Sequence, residues 1–288
     1  MREFVITSDS TTDLPVEYLK ENGVAFASLS YVLDGKTYRD NQGLTSKEFY
    51  DKVRGGAMPT TSQINVEEAK ALFEPIVREG KDILHIAFSS GLSGSCNSCR
   101  LAAELLMEQV PGCRIEVVDS LCASLGEGLL LHKTLEKRKQ EAMELPELAQ
   151  WVRQLAPHIC HNFTVDDLFH LHRGGRVSRA TAVLGTLAGI KPVLHVDEEG
   201  HLVAVDKVRG RKKSLIALVD RMEKQMQGFE NDVVFISHGD CPEDAEFVKE
   251  QVQERFGIQK FLIHPVGAVI GSHSGPGTMA LFFVGASR

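Results

Sequence analysis

Three stretches in the first half of the chain share one order: a short apolar run, then a polar loop, then a segment with the pattern of a helix. The apolar runs cover residues 4–6, 82–88 and 115–118, and each has the length of a buried strand. The third run is followed by a helical pattern from about residue 122 to residue 139. Strands that alternate with helices are typical of crossover connections, so the pattern predicts an α/β fold with a mainly parallel sheet.

Capping residues place two further helices in this half. Thr45 and Glu48 have the spacing of a capping box and predict a helix that ends at Arg54. Asn65 is a suitable N-cap and predicts a second helix over residues 65–78.

A change of composition near the middle of the chain predicts two domains. The charged stretch 133–144 before Leu145-Pro146 is the most linker-like segment. We therefore predict an N-terminal α/β domain over residues 1–150 and a second α/β domain over residues 151–288. In the second half, helices are predicted at 145–155, 180–187, 213–226 and 242–256, and strands at 160–165, 193–196, 202–205, 233–237, 261–263 and 280–284.

The composition indicates a globular protein, and the net charge narrows the classes of partner that it is expected to bind. Of 288 residues, 43% are hydrophobic and 25% are charged, which is enough apolar surface for a packed core. The 32 basic and 39 acidic side chains give a net charge of -7, which argues against nucleic acid and anionic membranes as general partners. No apolar stretch has the length of a membrane span and the first residues lack the layout of a secretory signal, so we expect a cytoplasmic protein. Six cysteines are too few for a disulfide framework and predict free thiols.

Small hydroxyl side chains are concentrated where the predicted strands end. They fill most of residues 7–12, 60–62 and 89–95, and Asp119 and Ser120 follow the third apolar run. Ligands of open α/β sheets bind at the carboxyl ends of the strands, where hydroxyls and helix N-terminal amides favour a carboxylate or a phosphate. Any single one of these residues can instead cap the next helix. Their recurrence favours an anion site.

The loop over residues 89–95 leaves an enzymatic alternative open. Its segment Gly91-Leu92-Ser93-Gly94-Ser95 misses the nucleophile-elbow pattern Gly-x-Ser-x-Gly by one position. A stand-alone serine hydrolase or acyltransferase would use Ser93 with His273 as its base, but the sequence identifies no acid to orient that histidine. A third possibility is a regulatory or structural module that binds another small anion.

A run of positive charge contrasts with the acidic composition. Five cations lie within seven residues: Lys207, Arg209, Arg211, Lys212 and Lys213. Such a run is usually a solvated face, but it can also dock a partner or an anionic group. The chain has no phosphate-binding loop of the Gly-x-x-x-x-Gly-Lys type and no second cysteine pair for zinc, so we predict no metal and no cofactor.

Seven segments, in this order, resemble the DegV family, and together they span nearly the whole chain. They are Thr7-Ser8-Asp9-Ser10-Thr11, Pro59-Thr60-Thr61-Ser62-Gln63, Ser89-Ser90-Gly91-Leu92-Ser93-Gly94-Ser95, Val118-Asp119-Ser120, Gly174-Gly175-Arg176-Val177-Ser178, Lys207-Val208-Arg209 and Gly271-Ser272-His273-Ser274-Gly275-Pro276-Gly277. Each segment alone is a weak signal, whereas seven in order are specific. The resemblance implies a two-domain α/β protein that holds one long-chain fatty acid in a tunnel between its domains.

The resemblance also implies a function without a complete active site. Some members of the DegV family are the fatty-acid-binding subunit of bacterial fatty acid kinase. They present the carboxylate to a separate ATP-using subunit, which makes an acyl phosphate for phospholipid synthesis. This chain is accordingly expected to be a lipid-binding protein rather than an enzyme, with hexadecanoate or octadecenoate as typical ligands.

Taken residue by residue, the resemblance assigns the contacts of the head group. Thr61 with its neighbour Ser62, and either Ser90 or Ser93, would contact the carboxylate. His273 would lie near the head group as a hydrogen-bond donor.

Three basic residues complete the assignments that the resemblance implies. Arg176 would steady the site from the second domain, while Lys207 and Arg209 would face the kinase subunit.

The chain departs from the family pattern at two places. Ile64 stands where many relatives carry a proline, so the next helix is expected to begin differently. His172-Arg173 replaces two lysines common in relatives and leaves one cation there at neutral pH.

Overall fold

The alternation of strand and helix in the first half builds a four-stranded parallel sheet. The computed structural model describes residues 2–178, 189–286 and 288. The strands of this sheet are β1 (Phe4–Asp9), β2 (Ala25–Ala27), β6 (Asp82–Ala87) and β7 (Ile115–Asp119), in the order β2-β1-β6-β7. All of its pairs are parallel, as the pattern predicts. The helices of this half are α1 (Val16–Glu21), α2 (Ser46–Arg54), α3 (Val66–Arg78), α4 (Ser95–Gln109), α5 (Leu125–Gln140) and α6 (Leu145–Leu155).

The two predicted capping signals are confirmed. Thr45 accepts the backbone N–H of Glu48 and forms a capping box at the start of α2. Asn65 does the same with Glu68 at the start of α3. The first residue of each helix is therefore set by side chains within four positions of it.

A small antiparallel sheet that the sequence analysis missed lies beside the parallel one. Its strands are β3 (Ser30–Leu33), β4 (Lys36–Arg39) and β5 (Thr60–Ser62), in the order β4-β3-β5. Asp34 (φ 52°) and Gly35 (φ 75°) make the turn between β3 and β4, and an Asp-Gly pair is a strong hairpin signal. Strand β5 carries Thr61, one of the residues predicted to contact the head group.

The second half forms a six-stranded mixed sheet. Its strands are β8 (Ile159–Thr164), β9 (Ile190–Val196), β10 (Leu202–Arg209), β11 (Val234–His238), β12 (Phe261–Pro265) and β13 (Met279–Val284), in the order β10-β9-β8-β13-β11-β12. Among the strand pairs of the described residues in this sheet, only β11–β12 is parallel. The helices of this half are α7 (Phe169–Arg173), α8 (Arg211–Gln225), α9 (Pro242–Phe256) and α10 (Ala268–Ser274). The predicted strands are confirmed with small shifts of their ends, and the predicted helix over residues 180–187 lies outside the described residues.

The period of two along the central strands divides this sheet into two faces. Met279, Leu281 and Phe283 belong to a core shared with α8 and α9, whereas Ala280 and Phe282 belong to the core shared with the first half. One face of the sheet is thus directed at the N-terminal sheet.

The predicted domain boundary falls within α6. That helix contacts β6 and β7, and the second sheet begins only at Ile159. Helix α5 contacts strands of both large sheets. The division at residue 150 stays a prediction. Among the described helices, none is both long and apolar enough to cross a bilayer.

Candidate functional site

A cavity of about 430 Å³ lies between the two large sheets, a size suited to a small-molecule ligand. The first half lines it with β5 and with the loops after β6 and β7, and the second half with one face of its sheet and with α10. Most of the lining side chains are apolar: Leu29, Phe88, Leu92, Ala123, Phe163, Leu171, Val196, Leu202, Val266, Val269, Ile270, Ala280 and Phe282. The cavity can therefore bury a long apolar group.

Thr61 and His273 meet at the wall of this cavity, although 212 positions separate them in the chain. The Oγ1 atom of Thr61 lies 2.8 Å from Nε2 of His273. Thr61 is held in the middle of β5, opposite Tyr31 of β3, and His273 lies in the last turn of α10. Two segments that the family resemblance named separately thus form one polar contact.

The environment of His273 keeps its imidazole neutral. Burial, together with the positive charges of Arg176 and Arg173, lowers the pKa of His273 to about 4. Its Nδ1 atom is buried and has no hydrogen-bond partner among the described residues. A Cβ atom on Gly174 would lie 2.1 Å from that Nδ1 atom, so the imidazole fills the space that the glycine leaves.

Two arginines of the Arg173-Gly174-Gly175-Arg176 turn join three segments of the site. Arg173 donates to the carbonyl oxygens of Pro59 and Ser272, each at 3.0 Å, close to Thr61 and His273 in the chain. Arg176 donates from Nε to the carbonyl oxygen of Leu92 at 3.2 Å, next to Ser93. Arg176 also lines the cavity, where it is the one arginine or lysine among the described lining residues. These contacts of Arg173 were not anticipated from the sequence, although its Arg-Gly-Gly-Arg pattern was visible.

The serine-rich loop contributes one of its two candidate residues to the cavity. Ser93 lines the cavity, and its hydroxyl lies 2.9 Å from that of Ser95. Ser90 is exposed and lies outside the lining, with its N–H directed to Asp119 at 3.2 Å. The exposed Ser62 borders the cavity beside Thr61.

Five of the six residues assigned to the head group by resemblance therefore share one cavity wall: Thr61, Ser62, Ser93, Arg176 and His273. Their contact with a ligand stays a prediction.

Ile64, where the resemblance implied a proline, makes a contact that a proline cannot make. Its backbone N–H donates to the Ser95 hydroxyl at 3.1 Å. This bond connects the segment after β5 to the start of α4, while Asn65 caps α3. The departure from the family pattern thus has a local structural role.

The hydroxyls after β1 are used inside the protein. Thr11 donates to Glu127 at 2.9 Å, and Ser10 accepts the N–H of Leu29 at 3.1 Å. Burial raises the pKa of both Asp9 and Glu127, which share contacts with Thr11. This loop does not line the cavity and serves as a buried support beneath it.

Lys207 and Arg209 lie on β10, the edge strand of the second sheet, and both are exposed. Neither forms an ion pair with any residue that the structure describes. In contrast, Arg211 pairs with Asp166 and Asp244, and Lys212 lies over the ring of Phe247. Within the basic run, Lys207 and Arg209, like the exposed Lys213, are therefore available for an external partner.

The serine hydrolase alternative lacks its central contact in this geometry. His273 pairs with Thr61, while Ser93 pairs with Ser95. No carboxylate of the described residues forms a hydrogen bond with His273, so the orienting acid of a triad is missing. Within the described parts of the chain, no group of three or more His, Cys, Asp or Glu residues could hold a metal ion.

Two serines of the cavity wall were not anticipated from the sequence. Ser124 precedes α5 and Ser237 lies in β11, and their hydroxyls are 3.0 Å apart. Ser237 follows the apolar residues Val234, Phe235 and Ile236 of β11, and a serine in a buried strand was the available signal. Its partner comes from a distant segment, so sequence alone did not reveal the pair.

Comparison with known proteins gives concordant matches over the whole length. The family described as "Uncharacterised protein, DegV family" matches residues 3–286. A DegV domain-containing protein of Clostridium perfringens is 42% identical, and the alignment covers 100% of this chain and 99% of that protein. A solved DegV family protein of Thermus thermophilus, described by its fatty acid binding, has 31% identity and a TM-score of 0.88, with 99% of this chain and 100% of that chain covered. DegV of Bacillus subtilis, described as a fatty acid binding protein, has 29% identity and a TM-score of 0.86 at 99% and 100% coverage.

Proposed function

The chain belongs to the DegV family, and from that premise we propose that it binds one long-chain fatty acid in the cavity between its two large sheets. The proposal rests on the composition of the cavity lining. The cavity is large enough for a ligand and is lined mostly by apolar side chains, and Thr61, His273, Ser93 and Arg176 line the same cavity. The descriptions of the Thermus thermophilus and Bacillus subtilis relatives support the same ligand class.

Burial of the tail supplies most of the affinity in this proposal. A 16-carbon acid has about 14 methylenes, each worth about 0.8 kcal/mol on burial, or roughly 11 kcal/mol before the cost of ordering the ligand. The polar residues then fix the position of the carboxylate. Arg176 offsets its negative charge, because a carboxylate without a partner is costly to bury.

The same head-group residues suit a change of the carboxylate to an acyl phosphate. Thr61 and Ser93 carry no charge, and their hydroxyls can donate to either group. We infer that the protein has no phosphoryl-transfer site of its own and presents the carboxylate, in the cytoplasm, to an ATP-using fatty acid kinase subunit. The acyl phosphate would then enter phospholipid synthesis. Lys207 and Arg209 are the proposed contact surface for that subunit.

The ligand can be tested by purifying the protein from a bacterial host, extracting it with organic solvent and measuring lipid by mass spectrometry. We expect about one fatty acid per chain. Thr61→Val keeps the shape of the side chain but removes the hydroxyl bonded to His273, and it should weaken fatty acid binding about tenfold. Ser90→Ala, outside the cavity, should bind as the wild type does. A chain that neither carries nor takes up fatty acid would contradict the proposal.

The partner surface needs a separate test. In Lys207→Glu/Arg209→Glu, lipid content should stay unchanged, whereas ATP-dependent acyl phosphate formation with the kinase subunit should fall at least tenfold. Lys260→Glu is a matched control, since that exposed lysine precedes β12 at the opposite edge of the same sheet. Equal effects of the two reversals would argue against a specific surface on β10.

A further inference from the structure

The serine pair of the cavity wall makes contacts that helix capping does not explain. Ser124 occupies the N-cap position of α5, but its hydroxyl makes no capping bond. The hydroxyl instead donates toward Asp13 and lies 3.0 Å from the hydroxyl of Ser237. Ser124 also has a φ of 54° and a ψ of -145°, a conformation that L residues rarely adopt. The chain holds this serine in a strained conformation with its hydroxyl directed away from the helix.

The pair is a polar interruption of an apolar wall. Ser124 and Ser237 are 5% and 0% exposed, and both line the cavity. Ala280 lies directly opposite Ser237 on the adjacent strand, and Ala280 and Phe282 line the cavity with it. The Ser237 hydroxyl is hydrogen-bonded to Ser124, and an unsubstituted hydrocarbon tail offers no partner for its remaining hydrogen-bonding capacity.

In either protonation state of Asp13, the hydroxyl of Ser237 can still form a hydrogen bond with a ligand. If Asp13 is ionised, Ser124 donates to it and Ser237 donates to Ser124, so the oxygen of Ser237 can still accept. If Asp13 is protonated, the direction reverses and the hydroxyl of Ser237 can still donate. A hydroxyl group on the ligand suits both cases, since it is donor and acceptor at once.

The pair lies apart from His273, one of the residues predicted to lie near the head group. Asp13 contacts the backbone of Gly267, which directly precedes α10, and His273 lies near the end of that helix. Six residues of helical rise correspond to about 9 Å. Ser124 and Ser237, which are linked to Asp13, are therefore placed to face the acyl chain of a bound acid rather than its head group.

We propose that Ser237 and Ser124 form a second polar subsite in the cavity, which accepts a hydroxyl group carried on the chain of a fatty acid. This inference rests on the proposed function and names a narrower ligand class, the hydroxylated long-chain fatty acids.

The test compares octadecanoic acid with a series of monohydroxy octadecanoic acids that differ in the position of the hydroxyl. Dissociation constants are measured by displacement of a fluorescent fatty acid from delipidated protein. We expect a narrow range of positions at which the hydroxy acid binds at least as tightly as octadecanoic acid. Outside that range, binding should be about tenfold weaker, because the hydroxyl is buried without a partner.

Variants then assign the effect to the pair. Ser237→Ala should weaken the favoured hydroxy acid about tenfold and leave octadecanoic acid within about twofold. Ser124→Gly, which suits the left-handed backbone of that position, should act in the same direction and provides a second folded variant. Ser274→Ala is the matched control, since it removes another buried hydroxyl of the cavity wall that is not part of the pair.

The outcomes separate this inference from the proposed function. If octadecanoic acid binds and every hydroxy acid binds more weakly, the subsite is wrong and the fatty acid site stands. If Ser274→Ala rather than Ser237→Ala removes the preference, the assignment to the pair is wrong. If no acid binds at all, the proposed function fails and the inference fails with it.

Discussion

At the scale of single residues, the position of the His273 imidazole depends on the absence of a side chain at Gly174. Gly174 has an ordinary right-handed backbone conformation, so its backbone does not require glycine. The space above it is filled by the imidazole of His273. The neighbouring Gly175 is the reverse case, with a φ of 73° and nothing within 4 Å of its missing Cβ atom.

This contrast yields a prediction for the two glycines. Gly174→Ala should displace the imidazole, break the contact with Thr61 and weaken fatty acid binding at least tenfold. Gly175→Ala should cost about 1 kcal/mol of folding free energy through its left-handed backbone while the affinity stays near that of the wild type. Titration with a fluorescent fatty acid and chemical denaturation of both variants measure the two effects. Unchanged affinity in Gly174→Ala would show that His273 does not need its present position.

At the scale of elements, Ser95 at the start of α4 connects two loops of the site. Its hydroxyl accepts the N–H of Ile64 after β5 and lies beside the hydroxyl of Ser93. The side chain is fully buried. Ser95 therefore fixes the position of the segment that follows Thr61 relative to the serine-rich loop.

We predict that Ser95→Ala lowers the free energy of unfolding by about 1–3 kcal/mol, because it leaves the buried N–H of Ile64 without a partner. Ser98→Ala on the same helix is the comparison. The hydroxyl of Ser98 makes only a long contact of 3.4 Å with Gln63, so its loss should be below about 1 kcal/mol. Urea denaturation of both variants measures the difference, and equal losses would contradict the role assigned to Ser95.

At the scale of the whole molecule, buried carboxyls of the first half support a helix of the second. Asp40 accepts the N–H of Val269 at 3.4 Å, and Asp13 contacts Gly267, so both meet the start of α10. Burial raises the pKa of Asp40 to about 6. The helix that carries His273 thus rests on side chains from the other end of the chain.

The raised pKa predicts a pH dependence of stability. Asp40 binds its proton more tightly in the folded state than in the unfolded state, where its pKa is about 3.9. Its contribution to stability is therefore full below about pH 4 and is lost as the pH rises through about 6, by up to about 3 kcal/mol. In Asp40→Asn, the free energy of unfolding relative to the wild type should increase across this window.

Denaturation at a series of pH values measures this difference. The exposed Glu250→Gln serves as the control and should change stability by less than about 0.5 kcal/mol at any pH. A difference between Asp40→Asn and the wild type that does not change with pH would refute the assignment.

Local sequence patterns were enough to predict many of the strands and the starting points of two helices. Apolar runs and helical periods placed β1, β6 and β7, and the side chains of Thr45 and Asn65 set the first residues of two helices. These features depend on hydrogen bonds and on the spacing of apolar side chains within a few residues. They can therefore be recognised from the order of residues along the chain. The family resemblance added the polar residues of the site, one segment at a time.

The way in which those segments meet became visible in the folded chain alone. The mixed pairing of the second sheet, the contact of Thr61 with His273 across 212 positions and the pairing of Ser124 with Ser237 have no local signature. Each arises because α5 packs against both large sheets and α10 packs against the small sheet, which brings distant segments to one cavity. Such contacts are a property of the packed core as a whole, so the cavity and its polar residues appear together only in the folded chain.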